Sequence, residues 1–367
     1  MTELDELALQ LKRNEAMRRA MPLTRLVDYG VSPADAVLIH NNTAAENPPE
    51  WHGACAALAV RHADIARLAC ADGRLPAGAE EWRQTAALYL SAQLAFNQDT
   101  AEKARLYEQA RFALRAYAPL ASGAHGVLVD ELLLSSEPGT LHGWLVAPPG
   151  AAATAAVIII GGLSGWGAVY LSMAISLARR GILCLLAEGP GQGATRLVSG
   201  LHLSLDTFPL FQCFVNHAQQ LGAQRIGVWG NSFGGLFAAR LAVMDPRVNA
   251  VCINGAPMRP ELPGFRTARE QMHAVFGSND GHDLQNHLRS LWLDASRDRI
   301  KAPMLVVEGG QDPLVPLGEQ HAFLALSPGQ GTVMTWDDGE HTIYNHAADR
   351  NERVCGWFHK ALVGSGH

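Results

Sequence analysis

The spacing of apolar residues changes once along the chain. In residues 1–122 apolar side chains recur at helical spacings of four, seven or eight positions, as between Trp82, Tyr89, Leu90 and Leu94, and this period predicts amphipathic helices. In residues 123–367 short, continuous apolar runs alternate with helical stretches, which predicts buried parallel strands covered by helices on both faces. The sequence therefore predicts a helical amino-terminal domain followed by an α/β domain.

Two features of the helical domain make specific predictions. Ser32 followed by Pro33 is typical of a helix start, with the serine as the N-cap. Leu58, Ile65 and Leu68 lie at helical spacing, so they are predicted to form the buried face of one helix. The helical stretches show no fixed period, which excludes a solenoid.

The α/β domain contains a series of predicted strands. They are Val127–Leu134, Leu141–Ala147, Ala156–Ile160, Leu183–Ala187, Ile226–Trp229, Ala250–Ile253, Met304–Glu308 and Thr332–Trp336. The first two are predicted to pair as a hairpin across Pro138-Gly139. The long interval at about residues 254–300 is predicted to be a helical insertion over the edge of the sheet.

Composition and charge exclude several classes of protein. With 48% hydrophobic and 17% charged residues, the chain differs from disordered proteins. A net charge of −6 without any Lys/Arg run argues against nucleic acid or an anionic membrane as a partner. The apolar stretches are too short to span a membrane, and residues 1–6 are acidic, unlike a signal peptide. Because the six cysteines also lack C-x-x-C pairs, a cytoplasmic, reduced protein is expected.

One motif points to nucleophilic chemistry. Gly230-Asn231-Ser232-Phe233-Gly234 has the pattern G-x-S-x-G and lies between a predicted strand and a predicted helix, the context of a nucleophile elbow. Ser232 must adopt a strained backbone to lift its hydroxyl off the turn, and the glycines leave room where strand and helix approach. The helix N-terminus that follows favours a developing anion. The alternative is a glycine-rich turn with an ordinary serine.

A nucleophilic serine needs a base, and the base needs an acid that orients it. In this architecture the chain order is serine, then Asp or Glu, then histidine. Asp312 follows the seventh predicted strand and His341 follows the eighth, at the carboxyl ends where the crevice of a parallel sheet lies. We therefore expect Asp312 to orient His341 as the base. The competing candidates are Glu308, Asp337, Asp338 and Glu340 as the acid and His346 as the base.

A glycine-rich loop after the third strand, Gly161–Gly165, can direct backbone N–H groups at a carbonyl oxygen. The predicted oxyanion hole consists of the amides of Leu163 and Phe233. Trp166 beside this loop and Glu261 in the insertion are candidate substrate contacts. The alternative for Trp166 is an aromatic residue of the core, and the alternative for Glu261 is a solvated surface glutamate. The histidines lack metal-ligand spacing such as H-E-x-x-H, so no metal and no cofactor is predicted.

The segment Glu188-Gly189-Pro190-Gly191-Gln192-Gly193 offers glycines of the kind found in dinucleotide sites. Pro190 and the lack of a long helix after it argue against such a site. A structural turn is therefore the favoured interpretation.

Taken together, these motifs resemble those of the α/β-hydrolase fold. The residues that carry the resemblance are Gly161-Gly162-Leu163, Gly189–Gly193, Gly230–Gly235, Gly310-Gln311-Asp312 and Gly339-Glu340-His341. Within the fold they are similar to the branch that contains the fermentation–respiration switch protein and 2,6-dihydroxy-pseudo-oxynicotine hydrolase. Glu188 departs from that branch, which usually has aspartate there. The resemblance implies a helical domain that helps cover the active site, and cleavage of esters or of carbon–carbon bonds beside a ketone.

The predicted function is therefore a serine hydrolase that acts on a small apolar or aromatic substrate through an acyl-enzyme. Residues 1–122 are a candidate lid, a candidate homodimer surface, or both. An acyltransferase, which passes the acyl group to an acceptor other than water, is the first alternative. A non-catalytic binding protein on the same fold is the second.

Overall fold

The chain divides into two compact units, Met1–Gly126 and Val127–His367. The computed structural model describes residues 3–150, 153–278 and 280–364. Regular structure in the described part of the first unit is helical, whereas the second unit contains the sheet. None of the helices in the described ranges combines the length and apolarity needed to cross a bilayer.

The first unit is a set of α-helices, which confirms the helical period of its sequence. They are α1 (Glu3–Ala20), α2 (Leu23–Asp28), α3 (Pro33–Thr43), α4 (Trp51–Ala71), α5 (Leu75–Ala92), α6 (Ala101–Tyr117) and α7 (Ala121–His125). The predicted start at Ser32 is confirmed, because Ser32 Oγ accepts a hydrogen bond from the Asp35 N–H at 3.1 Å. Trp82, Tyr89 and Leu94 are buried, as their spacing predicted.

The predicted buried face of α4 is wrong. Leu68 is 64% exposed, and Leu58 and Ile65 are only partly buried. The residues that α4 buries completely include Ala59 and Ala66. α4 makes its most extensive contact with α5, and alanines supply most of the residues that it buries, so the larger side chains of the predicted face are left more exposed.

The second unit is built on an eight-stranded sheet in the order β1-β2-β4-β3-β5-β6-β7-β8. Its strands are β1 (Leu128–Ser135), β2 (Thr140–Ala147), β3 (Ala155–Ile160), β4 (Leu183–Glu188), β5 (Arg225–Asn231), β6 (Val248–Asn254), β7 (Met304–Gly309) and β8 (Gly331–Trp336). The predicted hairpin is confirmed by antiparallel pairing of β1 with β2, and β2 also pairs antiparallel with β4. Strands β3 to β8 pair in parallel. Their carboxyl ends therefore meet along one edge of the sheet.

Helices cover this sheet. They are α8 (Leu171–Ala178), α9 (Gly193–Leu197), α10 (Gln212–Gln220), α11 (Phe233–Met244), α12 (Arg266–Phe276), α13 (Gly281–Ser290), α14 (Leu317–His321) and α15 (Ala347–Leu362). Both α12 and α13 lie in the interval predicted as a helical insertion. The strands β3, β4 and β7 are buried at every residue, which accounts for their continuous apolar sequences.

The cysteines provide a first testable prediction. Cys70 and Cys213 are partly exposed, and burial raises the pKa of the Cys355 thiol to about 12. The buried thiols are Cys55, Cys184, Cys252 and Cys355. Because only exposed thiolates react, we expect Ellman's reagent at pH 8 to titrate at most two of the six thiols in the folded protein and all six in guanidinium. Rapid reaction of a third thiol in the folded protein would contradict this burial.

Candidate active site

Ser232 occupies the sharp turn between β5 and α11. Its backbone has φ 55° and ψ −132°, a left-handed conformation that is strained for a residue with a side chain. A Cβ on Gly230 would collide with the Gly234 carbonyl, and a Cβ on Gly234 would collide with the Gly161 carbonyl. The turn therefore requires glycine at both positions, and it presents the serine hydroxyl beyond the end of the strand.

Three side chains from three loops meet at this turn. His341 Nε2 lies 2.8 Å from Ser232 Oγ, and His341 Nδ1 lies 2.8 Å from Asp312 Oδ2. The His341 side chain is 8% exposed and the Asp312 side chain 1%. When Nδ1–H donates to the carboxylate, Nε2 is free to accept the hydrogen of the Ser232 hydroxyl. The arrangement can thus take a proton from the serine and stabilise the imidazolium that results.

The second oxygen of Asp312 is held by the backbone. Asp312 Oδ1 accepts hydrogen bonds from the N–H of Leu314 at 2.8 Å and from the N–H of Val315 at 3.0 Å. The loop after β7 thereby fixes the plane of the carboxylate, so that Oδ2 points at His341. The orientation of the imidazole follows from backbone geometry rather than from a mobile side chain.

The competing acid and base candidates contact other residues. Glu308 lies within β7, where its Oε1 accepts a hydrogen bond from Thr335 Oγ1 at 2.8 Å. His346 is the N-cap residue of α15, and its Nε2 lies 2.9 Å from Asp338 Oδ1. Glu308 and His346 therefore have other partners, and neither belongs to the group of side chains that contains Ser232.

The glycine loop after β3 passes directly beside Ser232. A Cβ on Gly162 would lie 2.9 Å from Ser232 Cβ, so only a glycine backbone fits there. The amide of Leu163 follows Gly162 in this loop. Phe233 is the first residue of α11, where backbone amides have no partner within the helix. Both amides predicted to form the oxyanion hole therefore belong to segments that adjoin Ser232.

Buried side chains fix this loop. Gln192 Nε2 donates to the Gly161 carbonyl at 2.6 Å, and Trp166 Nε1 donates to the Gly162 carbonyl at 3.1 Å. Trp166 is only 1% exposed, and the Arg196 guanidinium lies over its ring at 4.7 Å. The indole of Trp166 is therefore buried and orients the loop, and a contact between Trp166 and the substrate stays a prediction.

Glu261 is an exposed residue of the segment between β6 and α12. This exposure agrees with the alternative of a solvated surface glutamate, and a contact between Glu261 and the substrate stays a prediction.

The insertion contacts the residue after Ser232 through an aromatic side chain. Phe233 is 3% exposed, and its ring centroid lies 6.5 Å from that of Phe276, at the end of α12. Phe237 contacts Phe233 from the other side, with centroids 4.9 Å apart. The sequence analysis did not identify Phe276. The amphipathic pattern of the insertion could have indicated it, because Met272, Val275 and Phe276 are all buried on α12.

Glu188 is a second residue whose role the sequence did not reveal. It is 1% exposed at the end of β4, and its Oε2 accepts a hydrogen bond from the Ala194 N–H at 2.6 Å. A Cβ on either Gly167 or Gly193 would collide with this carboxylate, and both glycines have positive φ angles. The segment is a turn that leads into the short helix α9, as predicted. The signal was an acidic residue at the end of an otherwise apolar strand.

The class of protein follows from the sheet and from the order of these loops. A serine elbow after β5, an acid after β7 and a histidine after β8, on a mostly parallel sheet, identify an α/β-hydrolase. No group of three His, Cys, Asp or Glu side chains within the described residues is placed to hold a metal ion. The chain belongs to the Esterase FrsA-like family, whose model matches residues 65–363. It is thus a hydrolase, related to esterases.

Individual relatives agree with this assignment. The 2,6-dihydropseudooxynicotine hydrolase of Paenarthrobacter nicotinovorans is 26% identical over 276 residues, which are 72% of this chain and 70% of the relative. The crystal structure of 2,6-dihydroxy-pseudo-oxynicotine hydrolase matches with a TM-score of 0.79 at 22% identity, over 93% of this chain and 95% of that chain. Wild-type AbyA5 matches with a TM-score of 0.67 at 16% identity, over 91% and 95%. These structural likenesses show the fold.

Proposed function

We propose that the protein is a serine hydrolase that forms an acyl-enzyme on Ser232. The observation that carries the proposal is the pair of 2.8 Å contacts that links Ser232 Oγ through the His341 ring to Asp312. The strained serine turn supports it, because such strain is found where a side chain must be held in one orientation.

In the proposed reaction, Ser232 Oγ attacks the substrate carbonyl carbon while its proton passes to His341 Nε2. The amides of Leu163 and Phe233 donate to the oxyanion of the tetrahedral intermediate. His341 then gives its proton to the leaving group as the bond to the carbonyl carbon breaks. Water, deprotonated by the same histidine, releases the acid product and restores the serine.

The surroundings of Ser232 support a substrate with an apolar or aromatic acyl part. The side chains that carry this argument are Phe233, which follows Ser232 directly, and its ring neighbours Phe237 and Phe276. Membership in a family of esterases favours an ester as the cleaved bond. A carbon–carbon bond beside a ketone is the second candidate, favoured by the similarity to 2,6-dihydropseudooxynicotine hydrolase over 72% of the chain.

The proposal is tested by covalent labelling with a fluorophosphonate. We expect one phosphonyl group per chain, located on Ser232 by peptide mass spectrometry, because only an activated serine reacts at a useful rate. The matched control is Ser164→Ala, which removes the serine of the neighbouring loop after β3 and should label like the wild type. Labelling that persists in Ser232→Ala, or that is equal in heat-unfolded protein, would reject the proposal.

The acyltransferase alternative is separated by product analysis with an added alcohol or amine. A transferase yields the new ester or amide in preference to the free acid, whereas a hydrolase yields mainly the acid. The proposed partner is a small-molecule substrate. The lid or homodimer role of residues 1–122 and the cytoplasmic location stay predictions.

A further inference from the structure

Two buried asparagines join the nucleophile turn to the histidine loop. Asn231 precedes Ser232 at the end of β5, Asn254 ends β6, and both are 0% exposed. Asn254 Nδ2 donates to Asn231 Oδ1 at 2.8 Å and to the Thr342 carbonyl oxygen at 3.1 Å. The Asn254 carbonyl accepts a hydrogen bond from the Ser232 N–H at 2.8 Å. One residue therefore contacts the backbone of Ser232 and of the residue after His341.

The backbone that Asn254 holds is strained. Thr342 and Ile343 have φ angles of 55° and 61°, which β-branched residues rarely adopt. Because this segment follows His341 directly, its relaxation would displace the imidazole. The Thr342 carbonyl also accepts a hydrogen bond at 2.8 Å from Nη1 of Arg350, which is 0% exposed. Strained backbone persists only where its surroundings hold it, and here two buried donors do so.

Stability alone does not account for the asparagine pair. Across residues 3–150, 153–278 and 280–364, neither Asn231 Nδ2 nor Asn254 Oδ1 has a hydrogen-bond partner. Burying an unpaired amide atom disfavours folding, so apolar side chains at these positions would cost less free energy to bury. The contribution of the pair therefore lies in the geometry that it imposes.

We infer that Asn254, supported by Asn231, is a positioning residue that sets the separation between Ser232 Oγ and His341 Nε2. The inference rests on the proposed serine hydrolase function. Asn254 acts through the backbone of residues 232 and 342 and not on the substrate. Its loss should therefore slow proton transfer within the triad and leave the binding of substrate unchanged.

The test is the kinetics of Asn254→Ala on a small p-nitrophenyl ester, with kcat expressed per site titrated by a fluorophosphonate. We expect kcat per site to fall roughly 10- to 100-fold, as for reacting groups displaced by about an ångström, and KM to change less than about threefold. The matched control is Asn249→Ala on the same strand. It removes the hydrogen bond from the Ile226 N–H to Asn249 Oδ1, 2.9 Å long, at the opposite end of the sheet. This control should keep kcat within about twofold.

Two further variants separate positioning from folding. Asn254→Asp keeps the size of the side chain but removes both N–H donors, so it should lose kcat as the alanine variant does. In the double variant Asn231→Ala/Asn254→Ala the shared hydrogen bond is lost only once, so the fall in kcat should be smaller than the product of the two single effects.

Several outcomes would overturn the inference. Wild-type kcat per titrated site in Asn254→Ala, with fewer sites titrated, would show a merely structural role and leave the proposed function intact. A larger change in KM than in kcat would also contradict positioning. A wild-type protein that neither cleaves the ester nor reacts with the fluorophosphonate would overturn the proposed function itself, and the inference with it.

Discussion

Replacing Ser232 with alanine is expected to lower kcat on an activated ester by roughly five to six orders of magnitude, as for other triad nucleophiles. The hydroxyl that attacks the carbonyl is lost, while the remaining site can still bind substrate and polarise its carbonyl. The fold should persist, because alanine meets the same backbone strain at φ 55° as serine does. The measurement is kcat of the purified variant.

Two controls make this result decisive. The thermal unfolding midpoint of the variant should lie within a few degrees of the wild type, which excludes misfolding as the cause. Any residual turnover should be insensitive to fluorophosphonate, which excludes contamination with active enzyme. Near-native turnover by a folded variant would show that Ser232 is not the nucleophile.

Asp312→Asn is expected to lower kcat by about 10⁴-fold, with little change in KM. The amides of Leu314 and Val315 both donate to one oxygen of the carboxylate, so they will hold the carboxamide oxygen there. The carboxamide NH₂ must then face His341 Nδ1 and donate to it. This forces the proton onto Nε2, where the imidazole can no longer accept the Ser232 proton.

The matched control for this prediction is Glu308→Gln, which changes the competing acid at the same end of β7. Because Glu308 accepts from Thr335 rather than from His341, we expect its kcat to stay within about threefold of the wild type. A greater loss in Glu308→Gln than in Asp312→Asn would move the acid role to Glu308.

The sheet could be predicted from the sequence because its strands are continuous apolar runs with clear ends. Strands that are buried on both faces, such as Ala155–Ile160, need apolar residues at every position, and turn residues bound them on both sides. Each observed strand lies within two residues of its predicted bounds. The loops that follow these strands were therefore placed correctly, and the structure brings Ser232, Asp312 and His341 together there.

Side-chain partners could not be predicted in the same way. The apolar series through Leu68 failed because an alanine-rich helix packs through its smallest residues, which periodicity weighs least. A motif places Trp166 near the site, but it does not predict that the indole is buried and donates to the Gly162 carbonyl. Asn254 was missed because its partner Thr342 is 88 positions away in the sequence. No sequence pattern predicts that a threonine has a positive φ angle, as Thr342 does.

The buried carboxylate of Glu188 restricts which substitutions this turn can accept. A side chain at Gly167 or Gly193 would overlap the glutamate. Shortening residue 188 to aspartate would not clear the space at Gly193, because Glu188 Cγ itself lies 2.7 Å from the position of that Cβ. The positive φ of each glycine is a second obstacle. The three positions therefore form an epistatic set, in which a carboxylate at residue 188 and glycine at residues 167 and 193 are retained together.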